Sequence, residues 1–331
     1  MGRPPTKPAT AEGPRPRRAV SRWFVQVLGI AATPLESIAE LFLIATICAS
    51  VALSVFSDNA VAQENGPGHG LWVWKTATAL AAPGGVESLR DFCRSEDVTE
   101  VYVSFSRSGS EADRDEDRIL VNVIRALHKS NVRVEALLSS TDADEPGKHR
   151  DKLLEHIQEV LEFNQRHKNE VFDGVHLDIE PQQRPENKGS GNLRFLPDLV
   201  ETYRQARRLA ESVGLTINAD IQNKFLKGDR EQRRTLLTAL PRFTLMLYEL
   251  SSPTDGQSIE QKEEKLRRES NKFMEMAYEG LDDSGLAKLG IGLRTPDYGQ
   301  SMPSMLKAVD ETMRGNTHYL GWAWHSWNDQ R

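Results

Sequence analysis

From Leu71 onward the chain alternates between two hydrophobic periods, with eight short β-rich runs, and this alternation limits its folds more than any other feature. Short β-rich runs occur at Leu71–Lys75, Val98–Phe105, Val132–Leu138, Phe172–Ile179, Leu215–Ile221, Phe243–Glu249, Ala287–Leu293 and Tyr319–His325. Charge-rich amphipathic stretches lie between them, among them Asp117–Ser130, Arg150–His167, Leu193–Val213 and Glu260–Tyr278. Eight strands separated by seven helices predict a parallel α/β fold. Eight is also the strand number that closes a single (β/α)8 barrel. The competing doubly wound open sheet would carry a glycine-rich dinucleotide fingerprint after its first strand, and none is there. Gly214 is placed to cap the helix before the fifth strand, and Pro241 to stop the helix before the sixth.

The first 62 residues read differently. Arg15, Arg17, Arg18 and Arg22 make a basic start, Leu41 to Phe56 is an uncharged apolar run, and Ala60-Val61-Ala62 offers a small-residue cleavage site. That order predicts a secretory signal, and so export to a periplasmic or extracellular location. The apolar run has 16 residues, short of the roughly 20 that span a bilayer, but left uncleaved the segment would serve as a membrane anchor. Removing 62 of 331 residues leaves 269 (63–331), enough for a barrel of about 250. The mature part holds 36 basic and 44 acidic residues, a net of −8, which argues against a nucleic-acid partner. Cys93 is its only cysteine, so internal disulfides and cysteine-rich zinc sites are excluded.

Parallel barrel strands are usually apolar on both faces, and three strands here are not. In the fourth, Val175, Leu177 and Ile179 alternate with His176, Asp178 and Glu180. In the fifth, Leu215, Ile217, Ala219 and Ile221 alternate with Thr216, Asn218, Asp220 and Gln222; in the seventh, Leu289, Ile291 and Leu293 alternate with Gly290, Gly292 and Arg294. Successive side chains point to opposite faces, so the apolar sets must meet the helices and the polar sets must line the barrel interior toward its C-terminal mouth. Unpaired buried polar groups cost roughly 1–3 kcal/mol each, so their clustering predicts a site, at the end where such barrels place their chemistry. A satisfied internal network is the plainer reading.

Asp173-Gly174-Val175-His176-Leu177-Asp178-Ile179-Glu180 resembles the D-G-x-D-x-D-x-E signature of glycoside hydrolase family 18, the chitinase-like TIM barrels, with His176 in place of the second Asp. Met246-Leu247-Tyr248-Glu249 is similar to that family's Met-x-Tyr-Asp on strand six, and Trp324 to its strand-eight Trp; Leu137-Leu138-Ser139-Ser140 departs from its Ser-x-Gly-Gly on strand three. The resemblance covers nearly the whole mature chain. It implies a metal-free, cofactor-free glycosidase acting on an amino-sugar-containing glycan. Glu180 would be the general acid, Asp178 and Tyr248 would hold the substrate's attacking N-acetyl group, and Trp324 would lie under the sugar ring. Two carboxylates this close on one strand face also raise each other's pKa, which suits an acid catalyst.

Each residue has a plainer role as well. Glu180 could simply end its strand before Pro181, Asp178 could pair with a neighbouring strand, and Tyr248 and Trp324 could be core. Asp173 is expected only to brace the strand start, and His176 to hydrogen-bond Asp178 and alter its charge. Trp74, His176, Asn218, Asp220, Glu249 and Arg294 are candidate substrate-binding positions near the mouth, and Pro181–Asn192 is a long loop over it. Two other functions remain open. His176, Asp178, Glu180 and Asp220 could bind a divalent metal in a hydrolase or phosphodiesterase. A barrel of this shape could also bind a glycan without cleaving it.

Overall fold

The computed structural model describes residues 68–107, 112–188, 193–250 and 255–330, and all eight expected strands form there. They are β1 (Gly68–Val73), β2 (Glu100–Ser104), β3 (Arg133–Ser140), β4 (Gly174–Ile179), β5 (Thr216–Gln222), β6 (Arg242–Met246), β7 (Lys288–Arg294) and β8 (Tyr319–His325). Each pairs in parallel with the next, and β1 pairs with β8 (Gly70 opposite Ala323), which closes a (β/α)8 barrel. The leader or anchor expected over 1–62, and Gly189 and Gly191 of the mouth loop, lie outside the described residues. No helix among the described residues is long and apolar enough to cross a membrane.

The connecting helices are α1 (Gly85–Ser95), α2 (Ala112–His128), α3 (Lys148–Arg166), α4 (Leu196–Glu211), α5 (Arg230–Leu237), α6 (Ile259–Tyr278) and α7 (Met302–Met313). Their buried residues follow the helical period; in α2, Leu120, Val123, Ile124 and Leu127 form one apolar stripe. Asp229 and Ser258 start α5 and α6 with capping boxes completed by Gln232 and Gln261. After α4 the chain reverses at Gly214 with a φ of 78°, a left-handed conformation that glycine adopts without strain. A short 3-10 turn, Trp327–Gln330, follows β8.

The strands separate two apolar regions. The large one lies between strands and helices, and takes Val175, Leu177 and Ile179 of β4, Ile217, Ala219 and Ile221 of β5, and Leu289, Ile291 and Leu293 of β7. The small one lies inside the barrel and consists of Trp72, Tyr102, Leu137 and Ala323, with Trp74 against it. Gly292 makes room for this inner layer: a Cβ there would sit 3.1 Å from the Trp72 ring and 3.2 Å from Thr244. The expected division of faces therefore holds on all three alternating strands.

Below the aromatic layer, at the N-terminal end, the interior is ionic. Glu135 is fully buried and takes bonds from Arg242, from Arg133 (3.1 Å) and from Asn218 Nδ2 (2.6 Å). Arg242 also pairs with Glu100 at 3.0 Å. A buried carboxylate is tolerable only when paired in this way. Asp173 braces the strand start as expected, its Oδ2 accepting from Val134 N–H (2.7 Å) and meeting His128 Nε2 at 2.9 Å.

Candidate active site

Above the aromatic layer, β4 delivers Asp178 and then Glu180 to the mouth. The β3–β4 register sets Ser139 beside Asp178, and Ser139 Oγ donates to Asp178 Oδ2 at 3.2 Å. Ser139 thus supports the carboxylate from strand three without the glycine pair that the resemblance implies there. Asp178 Oδ1 is buried with no hydrogen-bond partner. Glu180 extends the pairing by one step, its N–H bonding Ser140 O at 2.8 Å, and Pro181, which lacks an N–H, then turns the chain into the mouth loop. The Glu180 carboxylate accepts from Gln182 (2.9 Å), from Gln183 and from Gln222 (3.4 Å).

The mouth loop is fastened from the side. Arg184 makes a bidentate pair with Asp144 at 2.7 and 2.9 Å and bonds Thr141 O at 3.1 Å, which ties the segment carrying Gln182 and Gln183 to the loop after β3. The described part of this loop forms two short 3-10 turns, Pro181–Gln183 and Pro185–Asn187.

Charge is distributed unevenly along the interior. His176 has no exposed surface, packs against the tilted ring of Tyr102 (centroids 3.7 Å) and meets the edge of Trp72 (5.8 Å). Its Nε2 stands 2.8 Å from Asp220 Oδ1, and its Nδ1 3.8 Å from Glu135 Oε2. Burial opposes protonation of the imidazole, but the two carboxylates outweigh it and push the pKa up to about 9. Against the opposition of burial, Arg242 and then His176 hold Glu135 down at about 2. Trp72 Nε1 donates to Asp220 Oδ2 at 3.1 Å, so Asp220 is paired on both oxygens. Burial first, and then the charge of Asp220, raises the carboxyls of both Asp178 and Glu180. The two groups at the mouth are thereby biased toward their protonated forms.

Tyr248 follows β6 and completes the cluster. Its hydroxyl is buried without a hydrogen-bond partner, and burial together with Asp220, Asp178 and Glu180 raises its pKa well above the ordinary value. Arg294, at the end of β7, lies over the Tyr248 ring (5.5 Å) and is held by Asp297 at 2.8 Å.

The candidates from sequence separate accordingly. Asp178, Glu180, Tyr248, Arg294 and Trp74 come together at the mouth. His176, Asn218 and Asp220 do not reach it as binding groups: they sit inside the barrel, bonded to one another's neighbours, because the interior at their level is filled by Trp72 and Tyr102. His176 pairs with Asp220 rather than forming the expected bond to Asp178. Glu249 turns out of the cluster; its side chain is 81% exposed and its backbone has a φ of 62°. Trp324 is the clearest correction. It is 3% exposed and faces the helices, edge-on to Phe92 of α1 at 5.1 Å, with its indole N–H bonded to Thr295 Oγ1 at 2.9 Å. The neighbour that faces inward is His325.

Sequence reasoning missed Glu135, Tyr102, Trp72, Ser139 and His325, and placed Gln222 on the inward face without giving it a role. For β3 the signal was present, since Arg133, Glu135, Leu137 and Ser139 alternate with Val134, Ala136 and Leu138. Among the described residues, no three His, Cys, Asp or Glu side chains are disposed to hold a metal ion, and the His176 ring is engaged by Asp220 and Glu135.

No protein-family model matches the chain, and no curated protein matches it significantly. Solved structures do. A family 18 chitinase from Pseudoalteromonas aurantia is 11% identical with a TM-score of 0.48, over 79% of this chain and 94% of that one. A class V chitinase from Pseudomonas fluorescens Pf-5 is 14% identical with a TM-score of 0.44, over 70% and 69%. Catalytic domain 2 of the group II chitinase of Ostrinia furnacalis is 15% identical with a TM-score of 0.42; 69% of this chain aligns, spanning 63% of that one. The chain is thus similar in structure to chitinase barrels at low identity, and its own barrel assignment rests on the closed strand order.

Proposed function

We propose that the protein is a glycosidase that cleaves a glycosidic bond in an amino-sugar-containing glycan, with Glu180 as general acid. The observation that carries this reading is a pair of buried, unpartnered polar atoms, Asp178 Oδ1 and Tyr248 Oη, beside a carboxyl group whose pKa is raised. A buried polar group without a partner costs about 1–3 kcal/mol, and two at the mouth of one barrel are reasonably explained by a ligand that completes them. An N-acetyl group suits them, since it brings both a donor and an acceptor.

Glu180 in its protonated form gives its proton to the glycosidic oxygen as that bond breaks. In the scheme that the Asp173–Glu180 resemblance implies, the acetamido oxygen of the substrate attacks the anomeric carbon, Asp178 and Tyr248 hold that group, and the Glu180 carboxylate then takes a proton from the water that opens the intermediate. Burial and Asp220 favour the protonated acid before the first step.

The test is release of reducing ends by residues 63–331 from N-acetylated and deacetylated glycans, comparing the parent protein, Glu180→Gln and added chelator. Loss of about 10²-fold or more in Glu180→Gln, with no effect of chelator, is the expected result. Activity lost only in chelator would assign the reaction to a metal-dependent hydrolase. Binding without turnover would make the barrel a glycan-binding module.

A further inference from the structure

Strand β8 ends in His325 and β1 leads into Trp74, and the side chains of these residues meet at the mouth. Trp74 Nε1 lies 2.8 Å from His325 Nε2. An indole N–H can only donate, so Nε2 must accept, and the neutral imidazole then carries its proton on Nδ1. Nδ1 is buried and has no hydrogen-bond partner among the described residues. The ring is surrounded by Trp72, Trp74 and Tyr248, with centroids 5.7, 5.8 and 5.6 Å away. Trp74 itself is clamped: its N–H donates to Asn328 Oδ1 (2.7 Å) and its carbonyl accepts from Asn328 Nδ2 (2.8 Å). Trp74 is nonetheless only partly buried.

The charged groups around His325 come from several elements. They are Asp329 of the turn after β8, Asp220 of β5 and Arg294 of β7, with the Tyr248 ring following β6. Burial outweighs the two carboxylates and keeps the imidazole below its ordinary pKa. A charged ring would also bring a second N–H donor against the indole N–H.

We propose that His325 is a substrate-binding donor and that Trp74 is the aromatic platform next to it, together forming the wall that receives a sugar ring beside Glu180. The Nδ1–H group donates to a hydroxyl or acetamido oxygen, and the indole face takes the C–H face of the pyranose. The inference rests on the glycan-site reading above and deepens it. It assigns to the Trp74–His325 pair the role expected of Trp324, which the fold turns outward.

The test uses tetra-N-acetylchitotetraose as probe, with binding measured by calorimetry in Glu180→Gln to prevent turnover. His325→Phe keeps a ring and removes both nitrogens; Trp74→Ala removes the platform; His325→Gln keeps an acceptor for Trp74 and an N–H donor. Affinity is expected to fall about tenfold or more in the first two, as befits one lost hydrogen bond or one lost stacking face, and to stay within a few fold in His325→Gln. Equal affinity in His325→Phe and its parent would overturn the donor, and loss in His325→Gln equal to that in His325→Phe would reduce His325 to a structural part. Long-range nitrogen–proton correlation on the free protein gives a readout that needs no ligand. An Nδ1–H tautomer at neutral pH is expected; an Nε2–H tautomer or a charged ring would overturn the proposal even if the probe binds. Failure of the Glu180→Gln parent to bind the probe, with the Nδ1–H tautomer in place, would instead sink the amino-sugar reading and this assignment with it.

Discussion

His176 Nε2 stands 2.8 Å from Asp220 Oδ1 in the sealed interior of the barrel, one strand across and just below the mouth. This pair replaces the relation that the sequence suggested between His176 and Asp178, and it changes what each carboxylate can do. With His176 committed to Asp220 and Glu135, Asp178 has, among the described residues, Ser139 as its only side-chain hydrogen-bonding neighbour and no cation bonded to it. The charge of Asp220 is then felt at the mouth mainly as repulsion, which burial strengthens.

The first prediction concerns the pH profile. In the proposed reaction Glu180 must be protonated to act, so the alkaline limb of kcat/KM would follow its pKa in the free enzyme. Asp220 raises that pKa, and Asp220→Asn removes the raising charge without changing the shape of the side chain. The alkaline limb is expected to move to lower pH, with the loss largest at the alkaline end. A rate profile of Asp220→Asn with an unmoved limb would show that Asp220 does not tune the acid.

The same ion pair ties stability to pH. The His176 pKa rises from 6.5 to about 9 on folding, so its contribution is complete below about 6.5 and disappears as pH climbs through about 9. The shift corresponds to roughly 3 kcal/mol. Glu135 behaves in the opposite sense: its contribution is present above its ordinary value of 4.5 and is lost only as pH falls through about 2. The Tm of the parent is therefore expected to decline between pH 7 and 10, whereas His176→Gln starts lower and declines less. Parallel Tm curves for the two proteins would contradict this account.

Much of this was legible in the sequence, and the parts that were not have a common cause. The alternation of β4, β5 and β7 exposed the inward faces because one face of each strand is apolar and the other polar or empty. On β8 both faces are buried, so Trp322 and Trp324 gave no sign of direction, and two tryptophans on one parity drew attention away from His325 on the other. The small residue Ala323 was the available clue, since it lies in the inner layer beside Trp72. The bond from Trp72 to Asp220 joins strands 148 residues apart, across the barrel and not along a ladder, where spacing on a single strand carries no information.

Trp324 offers a clean separation of fold from site. As a fully packed residue on the helix side, Trp324→Ala is expected to lower stability by about 3–5 kcal/mol. Denaturant unfolding would measure this, and the surviving folded protein should bind the glycan as the parent does. A site residue would show the reverse: little loss of stability and a large loss of binding.

Gly292 tests the packing that holds the site in place. A methyl group there meets Trp72 at 3.1 Å and Thr244 at 3.2 Å, closer than ordinary van der Waals contact. Gly292→Ala is expected to cost about 1–3 kcal/mol and to displace Trp72 from Asp220, so the alkaline limb of activity should move along with Tm. A lower Tm with an unchanged limb would mean that the Trp72 bond is not needed to hold Asp220.

Tyr248 gives the sharpest discrimination between a residue kept for packing and one kept for a ligand. Its hydroxyl is buried and makes no hydrogen bond among the described residues, so Tyr248→Phe removes an uncompensated polar atom and leaves the ring against His325 and Arg294. A buried unsatisfied group is a liability of about 1–3 kcal/mol, and the variant is expected to be as stable as the parent or more so. If the hydroxyl completes its bonding on the substrate's N-acetyl group, the same change should reduce kcat/KM about tenfold or more on acetylated substrates, and far less on deacetylated ones, which lack the partner. Higher Tm with lower turnover would place the hydroxyl in the site. Unchanged turnover, whatever the Tm, would remove Tyr248 from it and leave the acetamido function to Asp178 and His325.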